Sequence, residues 1–214
     1  MDKTSATKRQ VHKPAAMRRQ EIIAAAVRVI RRKGLLETTS RAVSTEAGTS
    51  TGLLAHYFDS HDDLLVAAFE QVATQDLARV RRGLHKTPDA VTGLRVLLDE
   101  FTPASRSWQY RMWIDVWAAS AHHNALRRSS RGLNQQWLSV VTQLMQEGVD
   151  DGAFTCEDPA ASAWRLLAML DGMSVELVAH QGSTARSQLL AWVREAAANE
   201  SGISIEALVP TPTS

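Results

Sequence analysis

A short polar turn between two helix-forming segments constrains the fold of this chain more than any other sequence feature. The first segment follows three candidate N-cap residues, Thr38, Thr39 and Ser40, and ends at Ala47, before Gly48 interrupts the helical pattern. The second segment follows another N-cap residue, Ser50, and ends at Tyr57 or Phe58. Two short helices joined through a glycine turn are typical of a helix-turn-helix, which places its second helix in the major groove of DNA.

Helical periodicity over the rest of the chain predicts an all-α fold. A helix from Ala16 to Lys33 precedes the motif and stops at Gly34, and a capping box at Ser60-His61-Asp62-Asp63 opens a long helix to about Leu84. Further helices are predicted from Thr87-Pro88 to about Phe101, from Thr102-Pro103 to about His122, over 124–150, from Asp158-Pro159 to about Gln181, and over 184–199. The β-branched residues never alternate over a useful length, so no strand is predicted.

These helices divide the 214 residues into two domains and two tails. Residues 1–14 are predicted to be a flexible basic tail and 15–60 a three-helix helix-turn-helix domain. Residues 61–200 form a larger helical domain, and 201–214 form a C-terminal tail. The apolar content of 44% is sufficient for packed cores, which excludes a globally disordered chain.

The second short helix has one buried stripe and one exposed face. Leu54 and Phe58 lie four residues apart and form the buried stripe, while Gly52, Leu53 and His56 lie opposite and would enter the groove. The absence of a side chain at Gly52 lets the backbone approach DNA closely. The complete set of predicted DNA-binding residues is Thr39, Arg41, Ser50, Thr51, Gly52, Leu53, His56, Tyr57 and His61.

The charge distribution agrees with a nucleic-acid partner for the first domain. Residues 1–60 contain eleven Lys and Arg against five Asp and Glu, whereas the rest of the chain contains 13 against 18. Arg41 and Tyr57 would contact phosphates, which supply affinity and register. The basic residues near the start either follow a minor groove or form a solvated tail; they are Lys3, Lys8, Arg9, Lys13, Arg18 and Arg19.

Several other function classes find no support in the sequence. The single cysteine, Cys156, allows no intrachain disulfide and fits a reducing cytoplasm. No apolar run approaches the roughly 18 residues of a membrane span, and the basic start lacks the apolar region of a signal peptide. His122 and His123 diverge by about 100° on a helix and do not share a metal. No Ser-His-Asp order, metal spacing, phosphate loop or cofactor motif is present, so we expect neither an enzyme nor a cofactor.

The first domain resembles the TetR family of bacterial repressors over residues 17–66. The resemblance rests on a basic helix, Thr39-Ser-Arg-Ala-Val-Ser-Thr-Glu-Ala-Gly48-Thr-Ser50, then Gly52-Leu-Leu-Ala-His56-Tyr57-Phe58, then Leu64-Leu65. The chain departs from the family at Thr51 and His61, where Lys is frequent, and at Ala55, where Tyr is frequent. Each departure removes a usual phosphate partner, so the resemblance predicts a DNA-binding surface with unusually few lysines.

The second domain resembles the BetI-type subgroup of that family. The segment Trp113-Ile-Asp-Val-Trp117-Ala-Ala-Ser120-Ala-His122-His123-Asn-Ala-Leu126 carries the resemblance, and Leu170-Asp171-Gly172 agrees more weakly. The subgroup includes a regulator of glycine betaine synthesis that responds to choline. The resemblance therefore implies a domain that binds a small molecule and dimerises.

An aromatic cluster gives a separate indication of the ligand. Tyr110, Trp113 and Trp117 share one helix face, Trp137 lies on the next helix, and Asp171 is an acid in an apolar stretch. Aromatic faces beside a carboxylate bind quaternary ammonium groups through cation–π attraction. Two alternatives stay open: a different apolar effector, or indoles that only fill the core.

Apolar stripes on the last two helices are the predicted dimer interface. In the family these helices pair with their copies in a four-helix arrangement, and two-fold symmetry matches a palindromic operator. The predicted interface residues are Trp164, Leu167, Leu170, Ser174, Leu189, Leu190 and Val193.

The combined features predict a dimeric repressor that a small-molecule effector releases from a palindromic operator in double-stranded DNA. The effector would be a cationic or amphipathic organic compound. The alternative is an activator or chromosome-organising protein that binds DNA without an effector.

Overall fold

The computed structural model describes residues 14–100, 107–180 and 184–209, and within these ranges the chain is helical. The helices are α1 (Ala15–Lys33), α2 (Ser40–Glu46), α3 (Thr51–Tyr57), α4 (His61–Leu84), α5 (Ala90–Glu100), α6 (Ser107–Ser120), α7 (Asn124–Asp150), α8 (Pro159–Ala179), α9 (Arg186–Ser201) and the 3-10 helix η1 (Ile205–Leu208). The predicted all-α fold is confirmed. Within the described ranges, no helix is long and apolar enough to cross a membrane.

Side-chain caps fix the starts of the helices around the turn. The hydroxyl of Thr39 accepts a hydrogen bond from the amide of Ala42 at the start of α2, and Ser50 does the same at the start of α3. The hydroxyl of Ser60 accepts from the amide of Asp63 at 3.0 Å, which confirms Ser60 as the N-cap, and the same hydroxyl donates to the carboxylate of Asp63. Each cap pairs an amide that the first helical turn leaves without a partner.

Some predicted helix boundaries are corrected by the structure. Helix α5 begins at Ala90, because Asp89 rather than Thr87 caps it through the amide of Thr92 at 2.7 Å. The aromatic helix was predicted from Thr102, and α6 begins at Ser107; residues 101–106 lie outside the described residues.

The predicted C-terminal tail is wrong for residues 201–209. Ser201 is the last residue of α9 and is buried, and Gly202 turns the chain with a left-handed φ of 67°. Helix η1 then packs against α5 and α9 and buries Leu208 completely. Leu208 therefore belongs to the core, and of the predicted tail only residues 210–214 lie outside the described residues.

The hydrophobic core has two parts, and their boundary does not coincide with residue 60. The first part joins α1, α2 and α3 to the first half of α4, up to Ala73, and also includes the inner side of α6 and the start of α7, with Leu126 and Leu133. The second part begins at Leu77 of α4 and includes α5, α7 from Trp137 onwards, α8, α9 and η1. Trp113 packs against both parts. The helix-turn-helix domain therefore shares its core with the helices behind it.

Candidate DNA-binding surface and effector pocket

Helix α3 presents the face that the sequence predicts for DNA. Leu54 and Phe58 are buried, while Gly52 and His56 are exposed on the outer side. Thr51 is exposed at the start of the helix, and Leu53 is half-buried beside it. A surface of this shape, with a small residue and an imidazole at the centre, fits the major groove and can donate or accept hydrogen bonds at base edges.

Tyr57 and Arg41 flank this face. The ring of Tyr57 is half-buried and meets the ring of His56 edge to face, with centroids 5.1 Å apart. Arg41 is exposed on α2, and its carbonyl accepts a hydrogen bond from the hydroxyl of Thr45 at 2.9 Å. The hydroxyls of Thr39 and Ser50 accept hydrogen bonds from amides at the starts of α2 and α3, so both side chains stabilise the motif.

His61 is held inside the motif by both ring nitrogens. Its Nε2 lies 2.9 Å from the carbonyl oxygen of Thr38, and its Nδ1 lies 3.0 Å from the hydroxyl of Ser40. A carbonyl only accepts, so the tautomer with a proton on Nε2 satisfies both contacts. Both ring nitrogens are therefore engaged within the protein, and the ring connects the start of α4 to the start of α2.

Arg18 and Arg19 belong to α1 and not to a flexible tail. Arg18 pairs with Glu21 at 2.8 Å, and the guanidinium of Arg19 stacks 4.9 Å from the ring centre of Phe58, next to α3. The predicted helix from Ala16 already included both residues, and their contact with a minor groove stays a prediction. The remaining basic residues near the start of the chain, Lys3, Lys8, Arg9 and Lys13, lie outside the described residues.

A second candidate site is a pocket between α4, α5, α6, α7 and α8. The five side chains that the sequence predicts for a ligand all line it, although they come from three helices: Tyr110, Trp113, Trp117, Trp137 and Asp171. The pocket contains about 650 Å³ of space between atoms, a figure that includes its opening to solvent. The rings of Trp113 and Trp117 lie 5.8 Å apart, and Phe69 packs edge to face on Trp113.

Asp171 is the unusual group in this pocket. Among the described residues its carboxylate has no hydrogen-bond or ion-pair partner. Burial raises its pKa from 3.8 to about 7, because a desolvated carboxylate is less stable than the neutral acid. An unpaired acid among aromatic rings is stabilised either by a proton or by a cation that enters the pocket.

The other charges of the pocket are paired with one another. Arg79 of α4 contacts Asp76 at 3.2 Å and also forms an ion pair with Glu100 of α5. Sequence reasoning missed these three residues, although the three-residue spacing of Asp76 and Arg79 was visible as a helical ion pair. The missed lining residues also include Gln109, whose neighbour Tyr110 was predicted.

Comparisons with known proteins identify the family of this chain. Residues 22–68 match the model of bacterial regulatory proteins of the tetR family, and residues 90–201 match the C-terminal domain of BetI-type transcriptional repressors. The chain belongs to the TetR family, in its BetI-type subgroup. It is therefore a transcriptional regulator with a helix-turn-helix, as the resemblance predicted, and TetR-family proteins are not enzymes.

Individual members of the TetR family align over most of the chain. The regulator BetI of Stenotrophomonas maltophilia is 29% identical over 82% of this chain and 90% of its own length. BetI of Escherichia coli K12 is 26% identical over 74% of this chain and 80% of its own length.

Solved structures of regulators have the same fold. One from Saccharomonospora viridis in complex with choline has a TM-score of 0.76, with 22% identity over 84% of this chain and 95% of its own. A TetR regulator from Haloarcula marismortui has a TM-score of 0.73, with 24% identity over 87% and 97%.

The TetR-family chain buries most of its predicted dimer residues within one protomer. Leu167 and Ser174 line the pocket, and Ser174 donates to the carbonyl of Leu170 at 2.8 Å. The residues buried in the protomer are Leu167, Leu170, Ser174, Leu189 and Val193, and Leu190 is half-buried. This corrects the assignment of those stripes to a surface, because each helix turns them towards its neighbours in the same chain.

A different apolar face of the two helices is exposed in this TetR-family protomer. Trp164, which was predicted for the interface, is 62% exposed on α8, and Trp192 is 46% exposed on α9. Met169 is also exposed, and Gly172 lies on the same side of α8 with open space where a side chain would be. Large exposed apolar patches are rare on monomeric proteins, so these exposed indoles indicate an interaction surface.

Helix α6 connects the pocket to the helix-turn-helix domain of the regulator. One side of α6 carries Trp113 into the pocket. The opposite side carries Asp115, whose carboxylate accepts from the amide of Leu35 at 2.8 Å, and Arg111, which donates to the carbonyl of Arg31 at 3.1 Å. Both contacts hold the end of α1, where Gly34 has a φ of 94°. Movement of α6 would therefore reach α1 directly.

Proposed function

We propose that this regulator is a dimeric repressor that a small organic cation releases from a palindromic operator. The observation that carries the proposal is the unpaired carboxylate of Asp171 in a pocket of aromatic rings. A quaternary ammonium group lacks hydrogen-bond donors on nitrogen, so it is recognised by aromatic faces and by a nearby negative charge. Trp113, Trp117 and Trp137 supply such faces around Asp171.

The alternatives left open by the sequence are less well supported by this geometry. A purely apolar effector would leave the carboxylate of Asp171 desolvated and unpaired, which is unfavourable. Indoles that only fill the core would be expected to exclude a cavity, whereas Trp113 and Trp117 line one. The choline complex of the structurally similar regulator from Saccharomonospora viridis supports a cationic effector.

Release from DNA would pass through α6. A cation seated against Trp113 and Trp117 would displace α6, and the hydrogen bonds of Arg111 and Asp115 would transmit the displacement to the end of α1. A coupling free energy of roughly 1–3 kcal/mol between the two sites gives a 5–150-fold change in operator affinity.

Operator recognition would use the outer face of α3 in two copies. Gly52, Leu53 and His56 would meet base edges, while Arg41 and Tyr57 would meet phosphates. Thr51 lies at the exposed start of α3, where it would contact the phosphate backbone of the DNA. One such short helix reads few base pairs, so specific binding requires a second copy related by two-fold symmetry.

The exposed face of α8 and α9 would provide that symmetry. Trp164, Met169 and Trp192 would be buried against the same residues of a second copy, and Gly172 would allow the two α8 helices to approach closely. We expect the wild type to sediment as a dimer, and the charge-introducing double variant Trp164→Glu/Trp192→Glu to sediment as a monomer with a normal helical spectrum. A double variant that stays dimeric would place the interface elsewhere.

The decisive experiment combines cation binding with operator binding. Calorimetry would measure the affinity for choline and tetramethylammonium, and fluorescence anisotropy would measure binding to an operator selected in vitro from random duplexes. We expect saturating cation to weaken operator binding of the wild type by 5–150-fold. Asp171→Asn should bind the operator normally but the cation at least about tenfold more weakly, as expected when a charged partner is removed. Asp151→Asn, on the exposed end of α7, is the matched control.

Two outcomes would contradict the proposal in different ways. If neither cation binds, the pocket is not a cation site. If a cation binds but operator affinity does not change, the effector role is wrong, and a regulator that binds DNA without an effector becomes the better interpretation.

A further inference from the structure

The pocket contains a second polar group that the protein does not satisfy. The side-chain oxygen Oε1 of Gln109 is buried and has no hydrogen-bond partner. Gln109 lies in the first turn of α6, directly before Tyr110, and lines the same pocket as Asp171. It was not among the residues that the sequence predicted for the ligand.

A buried amide oxygen without a donor is unfavourable, because it has lost its hydrogen bonds to water. Other polar groups that line the pocket do not donate a hydrogen bond to this oxygen. The hydroxyl of Ser174 donates to the carbonyl of Leu170, and the guanidinium of Arg79 pairs with Asp76 and Glu100. Among the described residues, the pocket therefore contains an acceptor without a donor in addition to its unpaired acid.

The two unsatisfied groups differ in what they require. The carboxylate of Asp171 is satisfied by positive charge from any direction. The oxygen of Gln109 requires an O–H or N–H group that points at it, because an amide oxygen can only accept. A simple tetraalkylammonium ion would satisfy Asp171 alone and would leave the oxygen of Gln109 without a partner.

We propose that Gln109 is a specificity-determining residue that accepts a hydrogen bond from a hydroxyl or N–H group on the cationic effector. The inference rests on the proposed cation pocket and narrows its ligand class to small organic cations that carry a donor near the charged centre. Sites that are built to pair a ligand's hydrogen-bonding group discriminate against analogues that lack it, since the buried partner is then left unpaired.

Two probes of equal charge and nearly equal shape test this inference. Choline and n-propyltrimethylammonium differ in a terminal hydroxyl that replaces a methyl group. The measured quantity is the ratio of their dissociation constants, in which the contribution of Asp171 and of the aromatic rings cancels. We expect the wild type to prefer choline by about tenfold, the effect of one hydrogen bond to an otherwise unpaired group.

Substitutions at Gln109 assign the preference to this residue. Gln109→Met, and Gln109→Leu as a second apolar variant, should lower the ratio to about one, whereas Gln109→Glu keeps an acceptor and should keep a ratio well above one. Gln135→Met, on the exposed side of α7, is the matched control and should leave the ratio unchanged. Circular dichroism and operator binding would verify that each variant folds.

The outcomes separate this inference from the proposed function. If both probes bind the wild type equally, or if the apolar variants keep the preference, the role of Gln109 is overturned while the cation pocket stands. If neither probe binds, the cation pocket itself fails, and the inference fails with it.

Discussion

The candidate DNA-binding surface and the proposed effector pocket of this protein are built in different ways. The DNA-binding surface lies within residues 39–61, and each of its short helices is started by a side chain next to it in the sequence, such as Thr39 or Ser50. The pocket instead collects side chains from five helices between Asp76 and Ser174. A local surface depends on capping and turn chemistry, whereas a pocket between helices depends on how the core packs.

The largest expected effect concerns the place where these two regions meet. Phe69 of α4 is fully buried and packs on Trp113, whose centroid is 4.8 Å away. Phe69→Ala should lower the free energy of unfolding by about 3–5 kcal/mol, because it removes a buried ring and leaves a cavity. Leu36→Ala, at a residue that is 60% exposed, should change it by less than about 0.5 kcal/mol.

Urea unfolding followed by circular dichroism and by tryptophan fluorescence would measure both variants. A shared core predicts that the two signals shift together in Phe69→Ala. Separate transitions would show that the regions are thermodynamically independent, which would contradict the packing of Trp113 against both parts of the core.

The next largest effects should come from two variants, each of which weakens binding at one site and leaves the other site unchanged. His56→Ala should weaken operator binding by about 1–3 kcal/mol, the value of a lost base contact, without changing cation affinity. Asp171→Asn should do the reverse, because the pocket is formed without any residue of α3. Anisotropy and calorimetry would measure the two affinities, and Gln135→Ala serves as the neutral control. Loss of operator binding in Asp171→Asn with an intact fold would contradict the separation.

The effect of pH should be confined to the pocket. Burial raises the pKa of Asp171 to about 7, so below that pH a cation must displace a proton from it. Cation affinity should therefore rise by about tenfold between pH 6 and pH 8, with release of a proton at the lower pH, because binding favours the ionised carboxylate. The other titratable groups that line the pocket are Asp76, Arg79, Glu100 and Tyr110.

Calorimetry in buffers of different ionisation enthalpy would measure the proton release directly. Asp171→Asn should remove the pH dependence together with most of the affinity. A pH dependence that persists in this variant would have to arise from another group. Without an effector, the raised pKa of Asp171 should lower the free energy of unfolding as pH rises towards 7, because the folded state then binds more protons than the unfolded state.

The smallest expected effect is on communication between the sites. Asp115→Ala removes the acceptor for the amide of Leu35 and should reduce the cation-induced loss of operator affinity severalfold, since about 1 kcal/mol of coupling would be lost. Asp115→Asn keeps an oxygen at this position and should preserve more of the response. The measurement is operator affinity with and without saturating choline. Equal responses in the wild type and Asp115→Ala would show that the signal takes another route.

The sequence predicted the local features of the fold well. Rules that apply to a single helix end predicted the caps at Thr39, Ser50 and Ser60 and the glycine at the end of α1. The structure confirms these features. The exposed positions of Gly52 and His56 also followed from the periodicity of α3.

The features that depend on packing were harder to predict. The helical wheel identified Leu167 and Ser174 as part of one stripe but could not show that the stripe faces a pocket and not a second copy. Arg79 and Gln109 were missed because polar residues on a helix usually face solvent, and only the arrangement of five helices turns them inward. Leu208 was assigned to a tail because a single 3-10 turn has no periodicity to recognise.

The shared core has a consequence for building hybrid regulators from parts of this protein. A graft that exchanges residues 15–60 alone would cut through one packed interior and leave Met112, Val116 and the first half of α4 facing a foreign surface. A junction between Ala73 and Leu77 keeps the α4 contribution with its own helices, but the inner side of α6 and the start of α7, with Leu126 and Leu133, must still be transferred with the DNA-binding helices. The exchangeable unit of this molecule is therefore discontinuous in sequence, and its second piece comprises α6 and the start of α7.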